Sequence, residues 1–114
     1  ENDMSHNRSG EVRDCQSLEE VRSEIDWIDK ALVALIAERG AYVRQAAQFK
    51  RTVADVEAPQ RVAQVIDNVR AIADEIGANP DVVEQTWRAM ITAFIESEKT
   101  IHSQLQLEEG EVRP

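Results

Sequence analysis

The 114-residue chain is 42% hydrophobic, 31% charged and only 4% aromatic, which fits one globular domain of helices packed through aliphatic side chains and disfavours a β-sandwich. A formal net charge of -9 argues against sequence-independent binding to nucleic acid, which needs a basic face, and the lack of any run of about 18 apolar residues excludes a membrane-spanning helix. A chain this short buries a modest share of its surface when folded alone, so a partner chain is expected.

Residues 1–16 are polar, lack apolar periodicity and contain Gly10, and read as a flexible arm. Their one cysteine, Cys15, permits no intrachain disulfide and reads as a free surface thiol in a reducing, cytoplasmic setting. No hydrophobic signal region is visible; Met4 is the first methionine, and a removed export signal stays open. Ser17 and Glu20 have the spacing of a capping box and announce a long helix.

That helix is expected from residue 18 to about 50. Its seam runs through Leu18, Val21, Ile25, Ile28, Leu32, Leu35, position 39, Tyr42, Ala46 and Phe49, in alternating steps of three and four. At about 1.5 Å per residue it would be roughly 50 Å long, too long for a compact domain of this size, so its distal half is expected to lie against a second copy. The segment TVADVEAP breaks the pattern, and Pro59 forces Ala58 out of helical conformation while fitting the first turn of a new helix.

The second helix carries Val62, Val65, Ile66, Val69, Ile72, Ala73 and Ile76, with Gly77 as its left-handed cap. Asn79, Pro80 and Asp81 restart the chain as N-cap, first helical residue and acidic first turn. A third helix then presents Val83, Trp87, Met90, Ile91, Phe94, position 98, Ile101 and Leu105 on one face, and residues 107–114 read as a frayed tail. No internal repeat, phosphate loop or metal-ligand spacing is present, and His6 and His102 stand far apart.

Three ionisable residues sit where apolar ones belong. Arg39 takes a place in the first seam whose other nine occupants are apolar, and Glu98 falls between Phe94 and Ile101. Lys50 lies eleven residues beyond Arg39, close to three turns, so on a continuous helix the two cations share a face. A charge in an apolar seam must meet a partner, water or ligand. The structural explanation is a buried ion pair, Arg39 or Lys50 with Glu98, that sets helix register; the functional one is a ligand site. Arg22 and Arg61 alone read as solvated surface residues. Arg22 lies 17 residues from Arg39, roughly 25 Å along a straight helix, so if both bind one small ligand Arg22 comes from a neighbouring subunit.

The pieces VRSEIDWIDKALVALIAERGAYVRQAAQFK, APQRV and WRAMITAFIESEKTI, in this order and spacing, resemble the helical chorismate mutase family, including its isochorismate-pyruvate lyase branch. The resemblance covers about residues 17–106. It implies an all-α fold of three helices per chain, one long and N-terminal, in an intertwined homodimer. It also implies a dianionic substrate, chorismate or isochorismate, and no metal or organic cofactor. Carried over by position, Arg22 looks like an arginine donated across the dimer and Arg39 like one gripping a substrate carboxylate. Lys50 is similar to the lysine that donates to the ether oxygen of the breaking bond, Arg61 matches a further arginine of the site, and Glu98 matches a position usually held by glutamine.

The implied rearrangement of chorismate to prephenate is concerted, so holding the substrate folded and stabilising charge on the ether oxygen suffice. Arginine forks can grip two carboxylates, and a fixed donor such as Lys50 favours the transition state. Two departures matter. Glutamate donates a hydrogen bond only when protonated, so activity is expected to decline as Glu98 ionises. Ala58 and Val62 replace polar residues, and APQRV looks more like the lyase branch. Chorismate mutase is the expected activity, isochorismate-pyruvate lyase the alternative, and a noncatalytic helical dimerisation module the more distant one.

Overall fold

The computed structural model describes residues 11–112, and among these it contains helices and no strand. The helices are α1 (Leu18–Ala47), α2 (Val53–Glu57), α3 (Pro59–Ile76) and α4 (Pro80–Val112). Three long helices were expected, and α2 is an added single turn. No helix of the described residues is long and apolar enough to cross a membrane. The chain divides into two compact units that meet in sequence between Arg39 and Gly40.

In the first unit, residues 11–17 are non-helical; residues 1–10 of the expected arm lie outside the described residues. The Ser17 hydroxyl accepts from the Glu20 amide at 3.1 Å, as the capping box requires. The Glu20 carboxylate accepts from Gln16 at 2.8 Å, one residue upstream of the box's usual partner. Arg13 turns back along the helix, its Nε 3.2 Å from Glu24 Oε2. The apolar seam that follows is open: Ile25, Ile28, Leu32 and Leu35 are 48–60% exposed.

The second unit holds the core. Ala47, Val56, Ile66, Ala73 and Ile91 are buried, drawn from α1, α2, α3 and α4. On α3 the expected apolar face splits: Ile66 and Ala73 are buried, whereas Ile72 and Ile76 are exposed. On α4, Val83, Trp87, Met90, Phe94 and Ile101 are half-buried around Ile91. Gly40, buried on α1, lets the helix approach α4 closely: a Cβ there would stand 3.0 Å from Phe94 Cε1.

Local chemistry sets the boundaries. Gly77 adopts φ 82° and closes α3, a conformation that carries no Cβ penalty for glycine. Asn79 Oδ1 then accepts from the amides of Asp81 and Val82, capping α4. Arg70 braces this turn, with Nη1 2.7 Å from Glu84 and 3.1 Å from Asp81. Ala58 leaves the right-handed helix as Pro59 demands, but into the left-handed region at φ 36°, a strained place for a residue with a side chain.

Two boundaries differ from expectation. α1 ends at Ala47 rather than near residue 50: the amides of Gln48, Phe49 and Lys50 turn back to the carbonyls of Gln45, Ala46 and Ala47, the tight turn that ends many helices. α4 continues through Val112, past the point where the apolar face ends.

Candidate active site

Lys50 is delivered by that closing turn and not by helical phase, so the eleven-residue spacing from Arg39 is not what aims it. Its ammonium lies 2.7 Å from Glu98 Oε2, joining the end of α1 to α4. Glu98 is 3% exposed and Lys50 26%. Glu98 is the buried charged residue of the described chain. Lys50 Nζ approaches Glu98 Oε2 at ion-pair distance, outside ideal hydrogen-bond direction.

The remaining expected residues are placed separately. Arg39 is half-buried at the end of the first unit. Arg61 is exposed on the first turn of α3, where its guanidinium donates to Gln64. Arg22 is exposed on α1 and lines a shallow depression with Leu18, Glu19, Ser23 and Asp26. Because α1 is unbroken from Arg22 to Arg39, their separation of roughly 25 Å along the axis stands. The structure thus brings Lys50 and Glu98 together, and a single α1 does not direct Arg22 and Arg39 at one small ligand. Among the described residues no cluster of His, Cys, Asp and Glu could hold a metal ion.

Sequence reasoning passed over α2 and what holds it. Thr52 Oγ1 accepts from the Asp55 amide at 3.0 Å while Asp55 Oδ2 accepts from Thr52 at 3.2 Å, a complete capping box. Asp55 also accepts from the Arg51 amide at 3.0 Å. These backbone donors, Arg51's first, hold the Asp55 carboxyl below the usual carboxylate range. At the far end of α2, Glu57 Oε2 lies 2.9 Å from Lys99 Nζ, and this contact raises the lysine above its ordinary value. The T-x-x-D spacing was the available signal for the cap. Nothing in local spacing could reveal a pair separated by most of two helices.

The fold and the Lys50–Glu98 pair define a helical protein with a cation, on the turn that follows α1, set against a buried carboxylate of α4. The chorismate mutase type II family matches residues 21–99, and the chain belongs to that family. It is 34% identical over 82 residues to the isochorismate pyruvate lyase of Pseudomonas aeruginosa, covering 72% of this chain and 81% of that protein. It is 27% identical over 77 residues to the chorismate mutase of Methanocaldococcus jannaschii, covering 67% and 78%. It is 32% identical over 79 residues to the T-protein of Enterobacter agglomerans, spanning 68% of this chain but 21% of that one.

Proposed function

We propose that this chain is a chorismate mutase, converting chorismate to prephenate in a site completed by a second copy. The observation that carries the reading is the Lys50 ammonium held 2.7 Å from the buried Glu98 carboxyl. In this mechanism Arg39 and Arg61 grip the substrate's carboxylates through charge-assisted forks, and Arg22 of a second protomer adds a further grip. Lys50 donates to the ether oxygen as its bond to carbon lengthens and negative charge grows there. Glu98 orients Lys50 and, when protonated, supplies a second hydrogen bond.

The dimer is supported by the open seam of α1. Leu32 and Leu35, 50% and 60% exposed, form part of an apolar stripe with heptad spacing that suits a second helix. Arg22 lies too far along the same helix to join Arg39 from within one chain.

A second reading, isochorismate-pyruvate lyase yielding salicylate and pyruvate, has its own support. The chain covers 81% of the Pseudomonas lyase at 34% identity, and Ala58 and Val62 flank the site arginine with apolar groups. Side-by-side assays with chorismate and isochorismate separate the two: prephenate supports the first, salicylate the second, and neither product sinks both. A bicyclic dicarboxylate mimic of the transition state should raise the melting temperature of an enzyme and leave a noncatalytic helical module unchanged. Activity is expected to fall as Glu98 ionises, whereas Glu98→Gln should flatten that dependence. Identical pH–rate profiles in parent and variant would remove Glu98 from the mechanism.

A further inference from the structure

Glu98 and Lys99 are consecutive on α4, so their side chains leave the helix about 100° apart and about 1.5 Å apart along its axis. They hold the two ends of one connection. Glu98 meets Lys50 just before α2, and Lys99 meets Glu57 at its last residue. Between these grips Val56 is 2% exposed, and α2 packs on α4. The connection is therefore held to α4 by an ion pair at each end, with the buried Val56 beside the second.

The proposed chemistry asks Lys50 to turn toward a ligand. An ammonium on a flexible four-carbon stem can do so, but its grip on Glu98 weakens as it does. If that grip were the only tether, the turn of Gln48 to Lys50 would lose its anchor at the moment of reaction. A misplacement of about 1 Å can cost about a hundredfold in rate. Val56 and the Glu57–Lys99 pair do not involve Lys50, so they keep their contacts while Lys50 moves. Asp55 ties the amides of Arg51 and Thr52 to α2, which carries this anchoring back to the residue that follows Lys50.

We propose that Glu57 and Lys99 are a positioning pair: by holding α2 to α4 beside Glu98, they fix the turn that presents Lys50. This rests on the reading of Lys50 as the ligand-facing donor. The pair is partly exposed, 51% and 31%, so its effect is a few-fold and local.

The experiment compares the parent with Lys99→Met, Glu57→Gln, the double variant and Lys99→Arg. The rate of reductive methylation of the Lys50 amine, followed by mass spectrometry, reads the lysine's placement without reference to turnover. In Lys99→Met and Glu57→Gln it should rise about threefold, with melting temperatures close to the parent. The double variant should be no worse than either single one, as expected of two residues acting as a unit, and Lys99→Arg should restore the parent rate. Turnover on whichever of chorismate or isochorismate the parent consumes should show kcat reduced to a similar degree with KM little changed. Unchanged Lys50 labelling in both single variants overturns the proposal, as does, where the parent is active, raised labelling in variants whose kcat is undiminished. Raised labelling in the single variants, where the parent turns over neither substrate, upholds the positioning and defeats the enzymatic reading instead.

Discussion

The two halves of α1 face opposite situations. From Leu18 to Leu35 its seam side chains are exposed, while Gly40 and Ala47, near its other end, are buried in the unit that also contains α2, α3 and α4. The buried pair falls one position past the seam places 39 and 46, while the seam residues Tyr42 and Phe49 stay exposed. The apolar stripe therefore marks a face that still needs a partner surface, and the covered face of α1 is the one beside it. In the second unit that neighbouring face is met by the same chain, and small residues let it come close. In the first unit the seam itself is exposed, and a second copy is the occupant proposed for it.

The sharpest way to break this contrast is to charge the open seam. Ile28→Asp with Leu32→Asp would place two carboxylates in the proposed contact, each costing about 2 kcal/mol or more if desolvated unpaired. Sedimentation should then show monomers where the parent self-associates. A parent that is monomeric at micromolar concentration would refute the proposed dimer outright.

Next in size is the charged end of the second unit. Lys50→Met should lower kcat by about 10²–10³, the usual cost of losing a donor aimed at developing negative charge, while the fold persists by circular dichroism. Retention of full activity would mean that the Lys50–Glu98 pair serves only helix register.

The packed half of α1 offers a smaller effect. Gly40→Val would push methyl groups toward Phe94, already 3.0 Å from where a Cβ would stand, and should cost about 1–3 kcal/mol in urea denaturation. Gly40→Ala should cost less, because better helix propensity offsets part of the crowding. A substitution to Val at Leu35, on the open seam, should leave the monomer's own unfolding nearly unchanged.

The smallest effect concerns the cap of α2. Asp55 is held below the ordinary carboxylate range by the amides of Arg51 and Thr52, so its contribution is present above the unfolded-state value and is lost as pH falls through the lowered folded one. Asp55→Ala should therefore be less stable than the parent at neutral pH, and the two stability curves should converge in acid. Curves that stay parallel would show that the carboxylate adds nothing to the cap.

Much of this was legible because it is local. The Ser17–Glu20 box, the Gly77 cap and the Asn79–Pro80–Asp81 restart follow from backbone amides needing acceptors within a few residues, and a single sequence displays such needs directly. The anomalous charges were legible too, since Glu98 breaks an apolar face that the residues around it define. Its pairing was not: both Arg39 and Lys50 were candidates, and the assumed three turns of helix between them stop at Ala47.

From its sequence alone the protein was determined to be helical, to restart after residue 79, to carry out-of-place charges at positions 39, 50 and 98, and to have an apolar seam longer than one small domain can cover. Only the tertiary structure decided that α1 ends before Lys50, that Ala58 turns left-handed, that Glu98 takes Lys50 as its partner, and that Lys99 holds Glu57 beside it. Periodicity and capping depend on neighbours three or four residues away, whereas each of those pairs spans more than forty residues and exists only once the chain has folded back on itself.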